Sequence, residues 1–325
     1  MKVAFIYNPY QLLIIVGLMT DGVLIQRIII PSKLKKLTNL LIKGKSIDVV
    51  VLKDAFVSDG KLQRLMALLH NLSKVTKFRC DQIFISNDQS ILFLLALKAV
   101  NIKNITLIDE GALQQLILRE RAMPSSPVEV LKQFFLGSYQ RGKHPKIATL
   151  IVHEPKNNLW RDYGNKKVKN ASRFANLGLQ QIPIKERREN FRNKIVIATS
   201  PLTENGNSSY ANQEKDIINK IVETNPKKNF VLKTHYRENE DKYEIIVKNN
   251  SNLTLMNEAL DELPIQLFFS DIEIILGFHS SAVTQFGSKF PGNAFSMSGF
   301  VMSNHSENFV NTHPVGVRFL ANYFI

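Results

Sequence analysis

Short apolar runs, each ending abruptly in a polar island, set the terms on which this chain can fold. Lys2–Tyr7, Ile105–Ile108, Ile195–Ala198, Phe230–Lys233 and Ile272–Gly277 read as short buried strands. Further strands are expected at Ile47–Leu52, Gln82–Ser86, Ile147–Val152 and Leu253–Leu255. Between them the apolar spacing turns helical, at Gln11–Met19, Lys61–Leu72, Gln89–Val100 and Gln213–Glu223, with a helix or turn at Pro264–Phe269. Strands and helices alternating in this way imply an α/β protein with a parallel, doubly wound sheet. No internal repeat of fixed short period is visible.

The series is interrupted once. From Pro124 to about Gln181 the periodicity degrades, and the basic, Asn-rich segment Asn157–Asn176 reads as the interdomain passage. With 325 residues the chain is long enough for about two domains. Residues 1–156 are therefore expected as one Rossmann-like domain, 157–193 as a basic linker, and 194–325 as a second Rossmann-like domain, the two facing a cleft.

A net charge of +14 calls for an acidic partner. The excess is concentrated between Lys156 and Lys194, where Arg161, Lys166, Lys167, Lys169, Arg173, Lys185, Arg187, Arg188 and Arg192 meet few acids. Interleaved aromatics are sparse there, and neither an RNA-binding signature nor a helix-turn-helix pattern occurs, which weighs against nucleic acid. An anionic membrane surface or a phosphorylated substrate fits better, and an ordinary solvated face fits equally well. The longest apolar stretch near the N-terminus, Leu12–Leu18, is too short to span a bilayer, so a cytoplasmic location is expected. The single cysteine, Cys80, reads as a buried structural thiol.

In open α/β sheets, ligands bind at the carboxyl ends of the strands, which is where the polar islands fall. They are Tyr7-Asn8-Pro9-Tyr10-Gln11, Asp109-Glu110-Gly111, Ser200-Pro201-Leu202-Thr203-Glu204-Asn205-Gly206, Lys233-Thr234-His235 and His279-Ser280-Ser281. Transfer of a glycosyl group to a hydroxyl needs a base for the acceptor proton, a donor to the departing phosphate, and hydrogen bonds that hold the donor substrate in line. Asp109 or Glu110 suits the base, and sequence does not separate them. Gly111 permits a sharp turn, His235 suits the phosphate, and Lys233 adds a point charge. Ser280 and Ser281, ahead of a helix starting near Ala282, form a candidate anion seat with His279 beside them. The plainer readings are a strand-ending turn for Asp109-Glu110-Gly111, a locally satisfied imidazole for His235, and a proline-led helix start for Asn8-Pro9-Tyr10-Gln11. The histidines are scattered, no paired-cysteine or His-Glu-x-x-His site occurs, and Asp-x-Asp, a P-loop and Gly-x-Ser-x-Gly are absent.

Taken in order, these islands resemble bacterial sialyltransferases of glycosyltransferase family 52, with kinship to the family 38 polysialyltransferases. Asn8-Pro9-Tyr10-Gln11-Leu12-Leu13 resembles their first-strand loop, Asp109-Glu110-Gly111 their acidic-acidic-glycine motif, and Lys233-Thr234-His235 their histidine-proline motif. Ser280-Ser281 is similar to their late serine pair, and Ser200–Gly206 to the Pro-Leu-Ser-Glu-Asp-Gly loop of family 52, which keeps Pro201 and Glu204 in view. Tyr236 stands where a proline is expected, and Asn205 where family 52 often has aspartate.

The resemblance implies a GT-B fold, CMP-sialic acid as donor substrate, an inverting displacement, and neither metal nor other cofactor. The expectation is thus a sialyltransferase acting on lipooligosaccharide or capsule at the cytoplasmic face of a bacterial inner membrane. Alternatives are a relative transferring glucose or N-acetylglucosamine, and a non-catalytic glycan- or nucleotide-binding protein. The expected partners are CMP-sialic acid and a glycan acceptor, with an anionic membrane surface and a second copy of the chain as further candidates.

Overall fold

The structure is a computed structural model that describes residues 1–53, 61–75, 79–88, 90–99, 102–109, 130, 134, 137, 141–153, 155–182, 191, 194–200, 208–235, 238, 240–256, 265–277, 281–297 and 317–319. The chain divides into two units, the first formed by Met1–Ala55 with Asp59–Ile182 and the second carrying Pro183–Ile325.

Seven strands build the sheet of the first unit: β1 (Lys2–Phe5), β2 (Arg27–Pro31), β3 (Asp48–Leu52), β4 (Gln82–Ile85), β5 (Asn104–Ile108), β6 (Ile147–Val152) and β7 (Lys167–Asn170). Their order is β3-β2-β1-β4-β5-β6-β7 and every pairing is parallel. The chain runs outward from β1 to β3, then returns to β4 on the other side of β1. That reversal makes the β1/β4 boundary a topological switch point, where the loops leaving the two strands diverge.

Helix α1 (Pro9–Thr20) follows β1 directly. Asn8 caps it, its Oδ1 accepting the Gln11 N–H at 2.9 Å, while Gln11 Oε1 accepts the Tyr7 N–H at 2.7 Å. Pro9 stands in the first turn, where its missing N–H costs nothing. The residues from Pro9 to Leu18 are all buried, so the helix has no solvent face. Its cover includes α5 (Ala171–Leu179), which packs so tightly that a Cβ on Gly17 would meet the Phe174 carbonyl oxygen at 1.8 Å. The contact is reciprocal: a Cβ on Gly178 would meet the Leu13 carbonyl oxygen at 2.1 Å.

Helices α2 (Lys35–Leu41), α3 (Lys61–Val75) and α4 (Ile91–Ala99) also belong to this unit. Helix α3 buries Ala67, Asn71 and Val75 and exposes Leu62, Leu65, Met66 and Leu69 on its other side. Cys80 is buried, and burial pushes its thiol pKa up, as a structural cysteine requires.

One sequence expectation fails here. The supposed linker begins with a 3-10 turn at Asn158–Tyr163, runs into β7 and α5, and belongs to the first unit as far as Ile182. Trp160 and Tyr163 are buried in that unit's core. Of the cations that suggested a solvated passage, Lys167 and Lys169 occupy an edge strand whose partner β6 is largely buried.

The second unit repeats the plan with β8 (Lys194–Ala198), β9 (Asn229–Lys233), β10 (Leu253–Leu255), β11 (Ile274–Gly277), β12 (Ala294–Ser296) and β13 (Val317–Phe319). The order β10-β9-β8-β11-β12-β13 is again all parallel, with its switch point between β8 and β11. Helices α6 (Ser208–Thr224), α7 (Glu244–Asn249) and α8 (Ser281–Lys289) connect the strands. Ile218, Ile221 and Val222 of α6 pack with Ile197, Phe230, Leu232 and Tyr243 in one core. Among the described residues, no helix is long and apolar enough to cross a membrane.

Candidate functional site

Sheet register decides which residues leave each carboxyl edge together. In the first unit, Ile85 is level with Leu107, Leu107 with Leu150, and Ile108 with Ile151. The residues immediately beyond β5 and β6, Asp109 and His153, therefore emerge side by side. Asp109 is buried, donates its N–H to the Ile151 carbonyl at 2.7 Å, and accepts the His153 N–H on Oδ2 at 3.5 Å.

Tyr10, held at the start of α1 by the Asn8 cap, stacks its ring on the His153 imidazole with centroids 5.2 Å apart and planes 24° from parallel. Ser172, in the first turn of α5, places Oγ 3.5 Å from His153 Nδ1. Burial, together with the negative charge of Asp109, raises the Tyr10 phenol well above its ordinary value, and a hydrogen bond to Ser172 opposes the shift. Tyr10, Asp109, His153 and Ser172 thus form one polar cluster at the carboxyl edge. Tyr10 and Asp109 were expected there; His153 and Ser172 were not.

A second group lies nearer the β1/β4 switch point. Asp88 is buried just past β4 and accepts the Gly142 N–H at 2.7 Å, while Arg141 Nη1 donates to Asn87 Oδ1 at 3.2 Å. Tyr7, at the end of β1, has its phenol pKa raised by burial, with a hydrogen bond to Ser90 acting the other way.

In the second unit Ala198 is level with both Lys233 and Gly277. Gly277 is needed at that level because a Cβ there would meet Val283 Cγ2 at 2.7 Å and the Ala198 carbonyl oxygen at 2.8 Å. Beyond these residues Thr199-Ser200 and Thr234-His235 leave β8 and β9 together. Their backbone is tied to buried side chains. The His235 N–H donates to Glu238 Oε2 at 2.8 Å and to Thr199 Oγ1 at 3.1 Å, and the Ser200 N–H donates to Glu214 Oε1 at 3.1 Å. Lys233 is buried, with Nζ donating to the Thr234 carbonyl at 3.0 Å, so its charge is turned onto its own loop.

In the second unit, Glu214, Glu238, Lys242 and Tyr243 are site residues that sequence reasoning missed. The Tyr243 hydroxyl lies 3.0 Å from both Glu214 Oε2 and Glu238 Oε1, and Lys242 Nζ pairs with Glu238. Burial and the neighbouring Glu238 charge push the Glu214 carboxyl up to about 7. Burial also raises Glu238, opposed by Lys242, Thr199 and the His235 N–H.

Of the remaining candidates, Glu110, Gly111, Pro201, Glu204, His279 and Ser280 lie outside the described residues, as do Asn205 and Tyr236, and Ser281 is described only as the first residue of α8. Among the described residues, no three His, Cys, Asp or Glu side chains are grouped to hold a metal ion.

No protein-family model matches this chain, and no curated protein matches it in sequence. Solved structures do match in fold. A UDP-GlcNAc 2-epimerase from Methanocaldococcus jannaschii, in complex with UDP-GlcNAc and UDP, superposes with a TM-score of 0.58 at 14% identity, over 98% of this chain and 89% of that one. The Neisseria meningitidis UDP-GlcNAc 2-epimerase bound to UDP-GlcNAc gives 0.54 at 13%, over 97% and 95%. A sialyltransferase GT-B domain from Photobacterium damselae gives 0.45 at 15% identity, over 98% and 100%, a score too low to bear on chemistry. At these identities the likeness defines the fold alone. The protein has a GT-B-like fold of two Rossmann-like units.

Proposed function

We propose that this protein is an inverting glycosyltransferase that moves sialic acid from CMP-sialic acid to a bacterial surface glycan without a metal ion. The observation that carries the reading is the repeated strand order, which puts titratable and hydroxyl side chains at the carboxyl edge of both sheets. In the first unit the acidic pair Asp109-Glu110 takes the acceptor proton, with the His153 N–H bonded to Asp109 and Tyr10 stacked on His153. In the second, His235 stabilises the phosphate of the departing nucleotide, and Ser200, Ser280 and Ser281 contribute hydrogen bonds to the donor. The resemblance of the ordered motifs to those of family 52 supports cytidine as the nucleoside of the donor.

A second reading has one observation in its favour. The structures similar in fold include proteins bound to UDP-GlcNAc, which supports a UDP-sugar as donor. The two readings separate in one assay. Release of CMP from CMP-sialic acid, dependent on an added lipooligosaccharide or oligosialic acceptor, is the expected result. Turnover of UDP-GlcNAc or UDP-glucose instead overturns the choice of donor, and nucleotide binding with no turnover of either class overturns the catalytic reading.

A further inference from the structure

The buried acids beneath the second unit's carboxyl edge obey a strict hydrogen-bond count. A tyrosine hydroxyl carries one proton, and an ionised carboxylate only accepts. Tyr243 OH nevertheless lies 3.0 Å from Glu214 Oε2 and 3.0 Å from Glu238 Oε1. Both contacts are full two-centre hydrogen bonds, rather than two weak halves of one shared proton, only if one carboxyl keeps its own proton and donates it to the tyrosine oxygen.

The surroundings say which one. Glu238 accepts from Lys242 Nζ and Tyr243 OH on Oε1, and from Thr199 Oγ1 and the His235 N–H on Oε2. Four donors, one of them cationic, suit an anion. Glu214 receives the Ser200 N–H on Oε1, and Lys242 Nζ stays 3.8 Å from its Oε2. Lys242 and Tyr243 face the pair from the turn Glu240–Tyr243, and Lys233 and His235 are the other titratable groups at the described end of β9. Among the described residues, Lys242 is the one cation that pairs with these two buried acids, so a second ionisation is unfavourable.

We propose that Glu214 and Glu238 share a single proton through Tyr243, and that this proton positions the Ser200 and His235 backbone at the carboxyl edge of β8 and β9. Glu214, on α6, holds Ser200; Glu238 holds His235; the proton lets Tyr243 join them. When Glu214 ionises, Tyr243 can donate to only one acid, the two carboxylates repel, and the loops ending β8 and β9 lose their common anchor. The shift at Glu214 runs in the same direction: burial and the Glu238 charge push its carboxyl up to about 7. The consequence for nucleotide binding rests on the proposed function; the shared proton does not.

The test uses the full chain with Glu214→Gln, which keeps an oxygen for the Ser200 N–H and supplies an N–H to Tyr243. In ligand-free protein labelled at the glutamate carboxyl carbons, one resonance is expected to titrate near neutral pH and to be missing from the variant. The Ser200 and His235 amide signals are expected to move with the same midpoint in the unsubstituted protein and to stay still in the variant. CMP, titrated from pH 6 to 8.5, is expected to bind about 10-fold more weakly at the upper end relative to the variant, about 1.4 kcal/mol, the ligand's own ionisation being common to both. Glutamate carbons that all titrate at ordinary acidic pH, or amide signals that ignore the titration, overturn the proposal. If CMP binds to neither protein while the carboxyl and amide signals behave as expected, the shared proton stands and the cytidine reading falls.

Discussion

Glu214 occupies a place where the spacing of α6 asks for an apolar side chain, in line with Ile218, Ile221 and Val222 of the core. An acid on the buried stripe of an amphipathic helix is a readable anomaly, but its partners are not readable, because Glu238 and Tyr243 arrive from the far end of another strand. Asp109 was legible for the opposite reason: it ends an apolar run, and β5 stops immediately before it. The same rule would have found His153 after β6. Its position inside a poorly periodic stretch hid it. Asp109→Asn keeps an acceptor for the His153 N–H while removing the proton-accepting charge. If Asp109 is the base, transfer falls by about 10²- to 10⁴-fold with thermal stability unchanged, as initial rates and melting curves can check. Glu214 also makes stability depend on pH. Its carboxyl is raised in the folded protein from the ordinary 4.5 to about 7, so between those values the folded chain holds a proton that the unfolded chain has released. Stability therefore falls as pH rises through that window and levels off above it. The slope flattens in Glu214→Gln, as denaturant midpoints measured from pH 5 to pH 8 will show.

At the level of elements, the strands carried most of the sequence signal because buried parallel strands are short, apolar and bounded by polar loops. β2, β7, β12 and β13 were missed; β7 is an edge strand rich in Lys, which the pattern of a buried strand excludes. Helix α1 was legible as a helix but not as a fully enclosed one, since what encloses it lies far along the sequence. The interlock between α1 and α5 depends on two glycines facing each other's backbone. Gly17→Ala drives a methyl into the Phe174 carbonyl, and neither backbone can yield without shifting a helix. A loss of about 1–3 kcal/mol or more is expected from urea unfolding, and Gly178→Ala should behave alike.

For the whole molecule, charge misled where topology did not. The basic composition after Lys156 suggested a solvated connection, yet residues up to Ile182 complete the first unit. A fragment of residues 1–182 is therefore expected to fold, with cooperative thermal unfolding and dispersed amide signals. A fragment of residues 1–156 lacks β7 and α5 and is expected to aggregate or remain unfolded. The two-unit plan itself was readable from the restart of the strand–helix series at Lys194, and the resumption of the same strand order explains why.

The enclosure of α1 also reaches into biosynthesis. The segment leaves the ribosome early, apolar on every side, and its cover is encoded about 150 residues later. At roughly 5–20 residues per second, the nascent chain carries that greasy rod for about 8–30 s before α5 emerges to sheath it. Throughout that interval the growing polypeptide is a natural client for chaperones that grip exposed hydrocarbon.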